Sequence, residues 1–269
     1  MEALFWIFPY LGLGLIVGFF AGLLGIGGGG IMVPLLVMIF TYQGFAETQL
    51  VHMALGTSMA SIVLTSMSSA YHHHKHGAVR WDVWKKMFFG LLLGTFALSF
   101  FINDLSKNFL AIFFSVFMTY VAMQMFLNIK PQPHRTLPHR FGLGLVGFAI
   151  GGTSALVAIG GGTMSVPFLT WCNIKVQHAI ATSAALGVPI ALAGAMGYAM
   201  SGWEHEGLPI YSVGYVYLPA VLLVSLVSVL TVPWGVRLSH RLPVDMLKKV
   251  FAVLLLLLAL KMLQMVFFA

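Results

Sequence analysis

The stretch Gly25-Ile26-Gly27-Gly28-Gly29-Gly30, followed by Val33-Pro34, decides how this chain folds. It sits within a run from Ala3 to Ala46 that contains no charged residue. A straight helix over that run would be about 66 Å long, far beyond the thickness of a bilayer core. The chain must therefore break or fold back. Glycine costs about 1 kcal/mol per residue in a helix interior, whereas proline is comfortable in a first turn. The pattern predicts a helix to about Gly25, an unwound glycine segment, and a short half-helix from Ile31 to Tyr42.

Outward from this stretch, the rest of the chain is just as apolar. Phe141 to Ile174, Val176 to Trp203 and Gly207 to Val236 are also free of charge. Each exceeds the roughly 20 residues that cross a bilayer. Of 269 residues, 8% are charged and 59% hydrophobic, against roughly a quarter charged in a soluble domain. This is the composition of an all-α, polytopic integral membrane protein. The single cysteine, Cys172, permits neither an internal disulfide nor a cysteine-based zinc site. The chain opens Met1-Glu2 without a basic region, so Leu4 onward reads as a retained span and not a cleaved signal. The net charge of +7 comes mostly from Lys and Arg in short loops, where the positive-inside rule places them. Nucleic acid is not expected as a partner; the lipid bilayer is.

Further helices are expected at Thr48–Tyr71, Trp81–Phe101 and Ser106–Leu127. After a Pro-rich, basic linker the pattern begins again. Phe141–Ala158 reads as a helix, Gly160-Gly161-Gly162 as an unwound segment and Met164–Cys172 as a half-helix starting around Val166-Pro167. Val176–Met200, Tyr215–Leu238 and Val244–Phe268 complete the series. Gly14, Gly18, Leu23, Ile26 to Gly29, Val33, Pro34 and Leu36 recur in order as Gly147, Gly151, Leu156, Ile159 to Gly162, Val166, Pro167 and Leu169. Thr57-Ser58 recurs as Thr182-Ser183, and Leu105, Leu110, Phe114 and Met125 recur as Leu242, Leu247, Phe251 and Met262. The chain thus divides into a first membrane repeat over 1–129, a cytoplasmic linker over 130–140 and a second membrane repeat over 141–269.

Loop charge orients the repeats. Lys75, Arg80, Lys85 and Lys86 outweigh Asp82 in the loop after the third helix, whereas its counterpart around Trp203–Ser212 carries Glu204 and Glu206. Placing the basic loops inside demands three full crossings and one re-entrant pair per repeat. An odd number of crossings inverts the second repeat relative to the first. Both chain ends then lie outside.

Irregular backbone survives at membrane depth only where it is buried in protein or lines a polar cavity, and paired breaks point to a transporter's binding site. Half-helices entering from opposite faces would bring two N-termini together near the midplane. Each behaves like about half a positive charge and offers free N–H groups, so a small anionic solute is the expected guest. The candidate binding residues are Gly27, Gly28, Gly29, Gly30, Thr57 and Ser58 in the first repeat. Gly160, Gly161, Gly162, Thr163, Thr182 and Ser183 are their counterparts in the second. Thr57 lies about 14 Å into its helix by helical rise, and its hydroxyl can donate to an oxyanion without titrating. The competing reading is that these small residues only let helices pack closely, as Gly14, Gly18, Gly22, Gly90 and Gly94 do at small-xxx-small spacing.

His52 and His178, near the entrances of equivalent helices, are candidates for proton coupling against a purely structural role. His72-His73-His74-Lys75-His76 at a helix end reads as an interfacial patch, with no metal expected. An alternative function is a divalent-metal transporter built on His72, His73, His74 and His76; another is a non-transporting membrane scaffold. Lys261, alone in the last helix, can snorkel outward. No Ser-His-Asp, HExxH or Walker pattern is present, and no Lys-Ser/Thr follows Gly25–Gly30. The chain reads as neither an enzyme nor the holder of a cofactor.

The segment from Gly18 through Gly29 to Val33-Pro34, and its second copy Gly160–Pro167 with Ala181-Thr182-Ser183, resembles the TauE/SafE (sulfite exporter) family of membrane transporters. Gly77-Ala78-Val79-Arg80-Trp81 also looks like that family. Leu208-Pro209 with Gly214-Tyr215-Val216-Tyr217-Leu218-Pro219 is similar to the equivalent segment in some members. The resemblance covers nearly the whole chain. It implies a secondary transporter of the bacterial inner membrane that moves sulfite or organosulfonate-type anions. The clustered histidines His72–His76 are not part of the family pattern.

Overall fold

The computed structural model of the protein describes residues 6–127, 136–241 and 245–267. Most of the linker expected over 130–140, and the chain-end positions Leu4 and Phe268, lie outside the described residues, as does Leu242. Ten α-helices occupy the rest: α1 (Ile7–Leu24), α2 (Gly29–Tyr42), α3 (Leu50–Lys75), α4 (Trp81–Phe100), α5 (Lys107–Phe126), α6 (Arg140–Val157), α7 (Gly162–Trp171), α8 (Val176–Ser201), α9 (Leu218–Arg241) and α10 (Asp245–Phe267). Among the described residues, seven helices are long and apolar enough to cross a membrane. The fold is that of an all-α multi-pass membrane protein.

Three boundaries differ from the sequence reading. Both half-helices start earlier, at Gly29 and Gly162, so Gly29, Gly30 and Gly162 belong to first helical turns and not to unwound segments. The segment expected as the start of a helix at Tyr215 is instead a two-stranded hairpin, β1 (Ser212–Val213) with β2 (Val216–Tyr217), turned by Gly214 at φ 53°. A residue at positive φ cannot continue a right-handed helix, so α9 begins only at Leu218. Finally, α3 runs on through the histidines to Lys75.

Tyr10, near the start of α1, donates from its Oη to Gln43 Oε1 just past the end of α2, at 2.9 Å. Helices α1 and α2 therefore form a hairpin whose bend is the glycine segment. Glycine then sets the packing between helices. Gly14, Gly18 and Gly22 of α1 lie against Val224, Ser228 and Val232 of α9, so these helices run parallel. Gly147 and Gly151 of α6 lie against Met87 and Leu91 of α4 in the same sense. The first helix of each repeat thus packs on the fourth helix of the other. Helices α3 and α8, which hold corresponding places, pack on each other antiparallel: Gly56 meets Tyr198, Met59 meets Gly194 and Ser66 meets Gly187. They are the most buried of the long helices and form the centre against which both glycine breaks rest.

Candidate functional site

Each break is made by backbone conformation. Gly25, Gly27 and Gly28 have φ of 66°, 71° and 80°. Gly25 closes α1 in the left-handed conformation, its N–H bonded to the Ala21 carbonyl. In the second repeat Ala158 takes the same position at φ 47° despite its Cβ, and Gly161 at φ 75° precedes α7 as Gly28 precedes α2. Ile31 and Met32 both donate backbone N–H to the Gly28 carbonyl, and Met164 and Ser165 both donate to Gly161. Among the described residues, the first-turn N–H groups of Gly29, Gly30, Gly162 and Thr163 have no backbone acceptor, as expected of helix N-termini.

The two breaks touch. A Cβ added to Gly27 would lie 3.0 Å from both the Cα and the N of Gly160. One on Gly29 would collide with the Ala158 carbonyl, and one on Gly162 with the Gly25 carbonyl. The start of each half-helix is therefore pressed against the end of the other repeat's long helix. The positive end of each short helix dipole faces a C-terminal carbonyl, so the two partly offset each other in this arrangement. Ile62 of α3 closes the contact, its Cγ2 3.2 Å from a Cβ on Gly27 and 3.5 Å from one on Gly160. The glycines from Gly25 to Gly30 and from Gly160 to Gly162 are all buried. The breaks abut and do not frame an open space.

The sequence profile of the sulfite exporter TauE/SafE family matches residues 10–262, a span that includes both breaks. The chain belongs to the sulfite exporter TauE/SafE family. A "Probable membrane transporter protein" of Haemophilus influenzae is 38% identical over 252 residues, covering 93% of this chain and 95% of that one. A probable membrane transporter of Methanocaldococcus jannaschii is 26% identical over 234 residues, covering 85% of this chain and 84% of its own. One of Bacillus subtilis is 27% identical over 247 residues, with 87% and 90% covered. Family and relatives alike are named as membrane transporters and not as enzymes. No solved structure matches the chain.

In this TauE/SafE member the Thr-Ser pairs do not act as units. Thr57 Oγ1 accepts the backbone N–H of Tyr217 at 3.0 Å, and Thr182 Oγ1 accepts that of Arg80, also at 3.0 Å. Tyr217 and Arg80 immediately precede α9 and α4, so each threonine holds the entry to the other repeat's fourth helix. Ser183 lies at the first break. Ser183 Oγ donates to the Gly25 carbonyl at 3.2 Å and lies 2.7 Å from Ser165 Oγ. Its counterpart Ser58 is fully buried and, among the described residues, its Oγ has no hydrogen-bond partner. At Ser165's place the first repeat carries Met32, which supplies no hydroxyl.

The histidines are dispersed. His52 Nε2 donates to the Leu105 carbonyl at 3.1 Å and His178 Nδ1 to the Ala78 carbonyl at 2.8 Å, at opposite ends of the molecule. In the His72–His76 patch, His72 Nδ1 bonds the Ser68 carbonyl, His76 Nδ1 the His72 carbonyl, and His74 Nδ1 accepts from Trp81 Nε1. His73 alone turns inward, fully buried, with Nε2 3.2 Å from the Gly22 carbonyl. The rings do not converge, and among the described residues no group of three potential ligands could hold a metal ion. The geometry gives the metal-transporter alternative no support. Lys261 is exposed, donating to Gln264 Oε1 at 3.2 Å.

Sequence reading passed over three features. Gly77-Ala78-Val79 and Gly214-Tyr215-Val216 are one repeated motif, with both glycines at positive φ, and lead into α4 and α9. The Gly-x-Val spacing was the available signal. Tyr215 is the pivot of the second copy: its Oη donates to Asn103 Oδ1 at 2.7 Å, and its ring lies 5.2 Å from that of His52 and 5.5 Å from that of His205. Burial pushes its phenol up to about 12, so it remains a donor at any physiological pH. Its neighbours Asn103 and His205, with Asp104, Trp203 and Glu204, line an open cavity of about 850 Å³.

Proposed function

We propose that this protein is a secondary transporter that exports small sulfur-containing oxyanions, sulfite or organosulfonates, across the bacterial inner membrane. It does so as two repeats of inverted topology, by alternating access around the paired helix breaks. The observation that carries this reading is the crossed contact of the breaks, Gly29 on Ala158 and Gly162 on Gly25. When the repeats part, the N–H groups at the starts of α2 and α7 lose the carbonyls that face them. An anion with several oxygens then takes the place of those carbonyls. Ser58 supplies a hydroxyl that the packed arrangement leaves unused. The reciprocal packing of α1 on α9 and α6 on α4, with α3 antiparallel to α8, supports the inversion. Among the described residues, no Lys or Arg stands at the breaks to hold the anion too tightly for release.

Purified protein screened for thermal stabilisation by sulfite, sulfate, thiosulfate, sulfonates and carboxylates should respond to sulfur oxyanions. Radiolabelled sulfite should cross proteoliposome membranes. Ser58→Ala should weaken the apparent affinity about tenfold, the scale of one hydrogen bond to a charged group. No response to any of these anions, in either assay, rules the reading out.

A further inference from the structure

Helices α4 and α8 run side by side in the same direction. Trp84 donates from Nε1 to the Ala185 carbonyl at 3.0 Å, and further along Ser99 lies against Gly197. Both helices stop at one place, where the 3-10 turn Phe101–Asp104 follows α4 and residues 202–205 follow α8. Between these ends lies the open cavity of about 850 Å³. Part of its wall is fixed, because both polar ends of the Asn103 amide are in use. Oδ1 accepts from Tyr215 Oη at 2.7 Å, and Nδ2 donates to the Ser201 carbonyl. By helical rise Ser201 is about 21 Å along α8 from Gly187, which touches the Gly160 carbonyl. The cavity is therefore remote from the glycine breaks.

The lining is acidic and aromatic, in a chain with twice as many basic residues as acidic ones. Asp104 and Glu204 line the cavity, and no Lys or Arg does. Among the described residues neither carboxylate is paired with a cation, and Lys107, three residues beyond Asp104, turns instead to Glu47 at 3.6 Å. Phe100 and Phe101 meet edge to face with centroids 5.4 Å apart and rings at 88°, so they present two faces nearly at right angles. Trp203 stands at the rim, 72% exposed. Carboxylates and ring faces both attract a positive charge. Apolar surface leads into the same place. From Ala179 to Met200, the exposed residues of α8 are Leu192, Met196 and Met200, about one turn apart on one face. Met200 itself lines the cavity, and so does Phe100 of α4, whose ring stacks on that of Phe96 at 6.0 Å.

We infer that the cavity binds a phospholipid whose headgroup ends in a primary ammonium, with an acyl chain lying along Leu192, Met196 and Met200. The ammonium donates to Asp104 and Glu204 and rests against the faces of Phe100 and Phe101. Trp203 gives its indole N–H to the phosphate, the place such a ring takes at a membrane surface. A quaternary ammonium would keep the ring contacts but has no N–H for the carboxylates. An anionic headgroup without an ammonium would meet two carboxylates and no cation, and like charges repel. A lipid seated in this way ties the end of α4 to the end of α8.

The test follows thermal unfolding of the purified, delipidated full chain in nonionic detergent. Phosphatidylethanolamine, phosphatidylcholine or phosphatidylglycerol with identical acyl chains is added in increasing amounts. Half-maximal stabilisation should need about tenfold less phosphatidylethanolamine than phosphatidylglycerol, and less than phosphatidylcholine. High salt should narrow the first difference. Asp104→Asn combined with Glu204→Gln changes two exposed side chains, so the lipid-free midpoint should stay and the preference disappear. Glu47→Gln should keep the preference, and Met196→Gln should weaken all three lipids alike. Free ethanolamine at the same concentration should have no effect. Equal responses to phosphatidylethanolamine and either other lipid overturn the inference, as does a difference that salt leaves unchanged. So does a preference that survives in the double variant or is lost in Glu47→Gln, or a Met196→Gln protein that binds as the native one does. Free ethanolamine acting as well as the lipid would make this a site for a soluble amine and remove the lipid from it.

Discussion

Gly27 and Gly160 meet backbone to backbone, so closely that a Cβ on Gly27 would lie 3.0 Å from the Cα of Gly160. Gly27 also holds φ at 71°. Gly27→Ala is therefore expected to lower stability by about 1–3 kcal/mol through backbone strain, with the close contact adding to it. Gly12 has nothing within 4 Å of its Cβ position, and Gly12→Ala should change stability little or raise it. Thermal unfolding in detergent compares the two. Equal midpoints would contradict the contact between the breaks.

The threonines are expected to behave as fasteners. Thr57→Val and Thr182→Val each leave a backbone N–H, of Tyr217 and Arg80, without its acceptor. Each should cost about 1–3 kcal/mol, whereas serine at either place should restore most of the loss. The two bonds share no partner, so the double variant should show the sum. Unfolding midpoints of the five variants against the native protein test this.

The matched serines should respond in opposite ways. Ser183→Ala removes hydrogen bonds to Ser165 and Gly25 and should destabilise by about 1–3 kcal/mol. Ser58→Ala removes a buried hydroxyl that has no partner among the described residues, and should be neutral or stabilising without ligand. A destabilised Ser58→Ala would mean that the hydroxyl is satisfied in the folded protein.

Orientation can be read chemically. Lys86 and Glu204 are both exposed, one beside the basic loop after α3 and one in its acidic counterpart after α8. In a Cys172→Ser background, Glu204→Cys in intact cells should react with a membrane-impermeant maleimide, and Lys86→Cys should react only after permeabilisation. The reverse pattern would turn the molecule over; labelling of both from one side would remove the inverted topology.

Much of the architecture was legible because apolar run length and glycine position act locally. Gly25 to Gly28 cannot stay helical without loss, so the first break was visible, and the same letters repeated after Ile159 exposed the second. Thr57 and Thr182 were visible as a pair with the serines that follow them, but the backbone N–H groups they accept were not. Their acceptor role depends on Tyr217 and Arg80, which are remote in sequence. Tyr215–Tyr217, the second half of the hairpin, was read as the start of a helix because Val216 and Tyr217 suit either state, and only Gly214 at positive φ separates them.

The residue order by itself determined that the chain is a bundle of membrane-length helices interrupted twice at matching glycines, because burial in lipid and backbone strain are properties of short segments. It could not determine that Gly29 lies on Ala158 and Gly162 on Gly25, that Ser58 is left without the partner Ser183 has, or that Thr57 and Thr182 each hold the entry to the other repeat's fourth helix. Those relations join helices of different repeats, and a contact between distant segments is chosen only when all the helices pack at once.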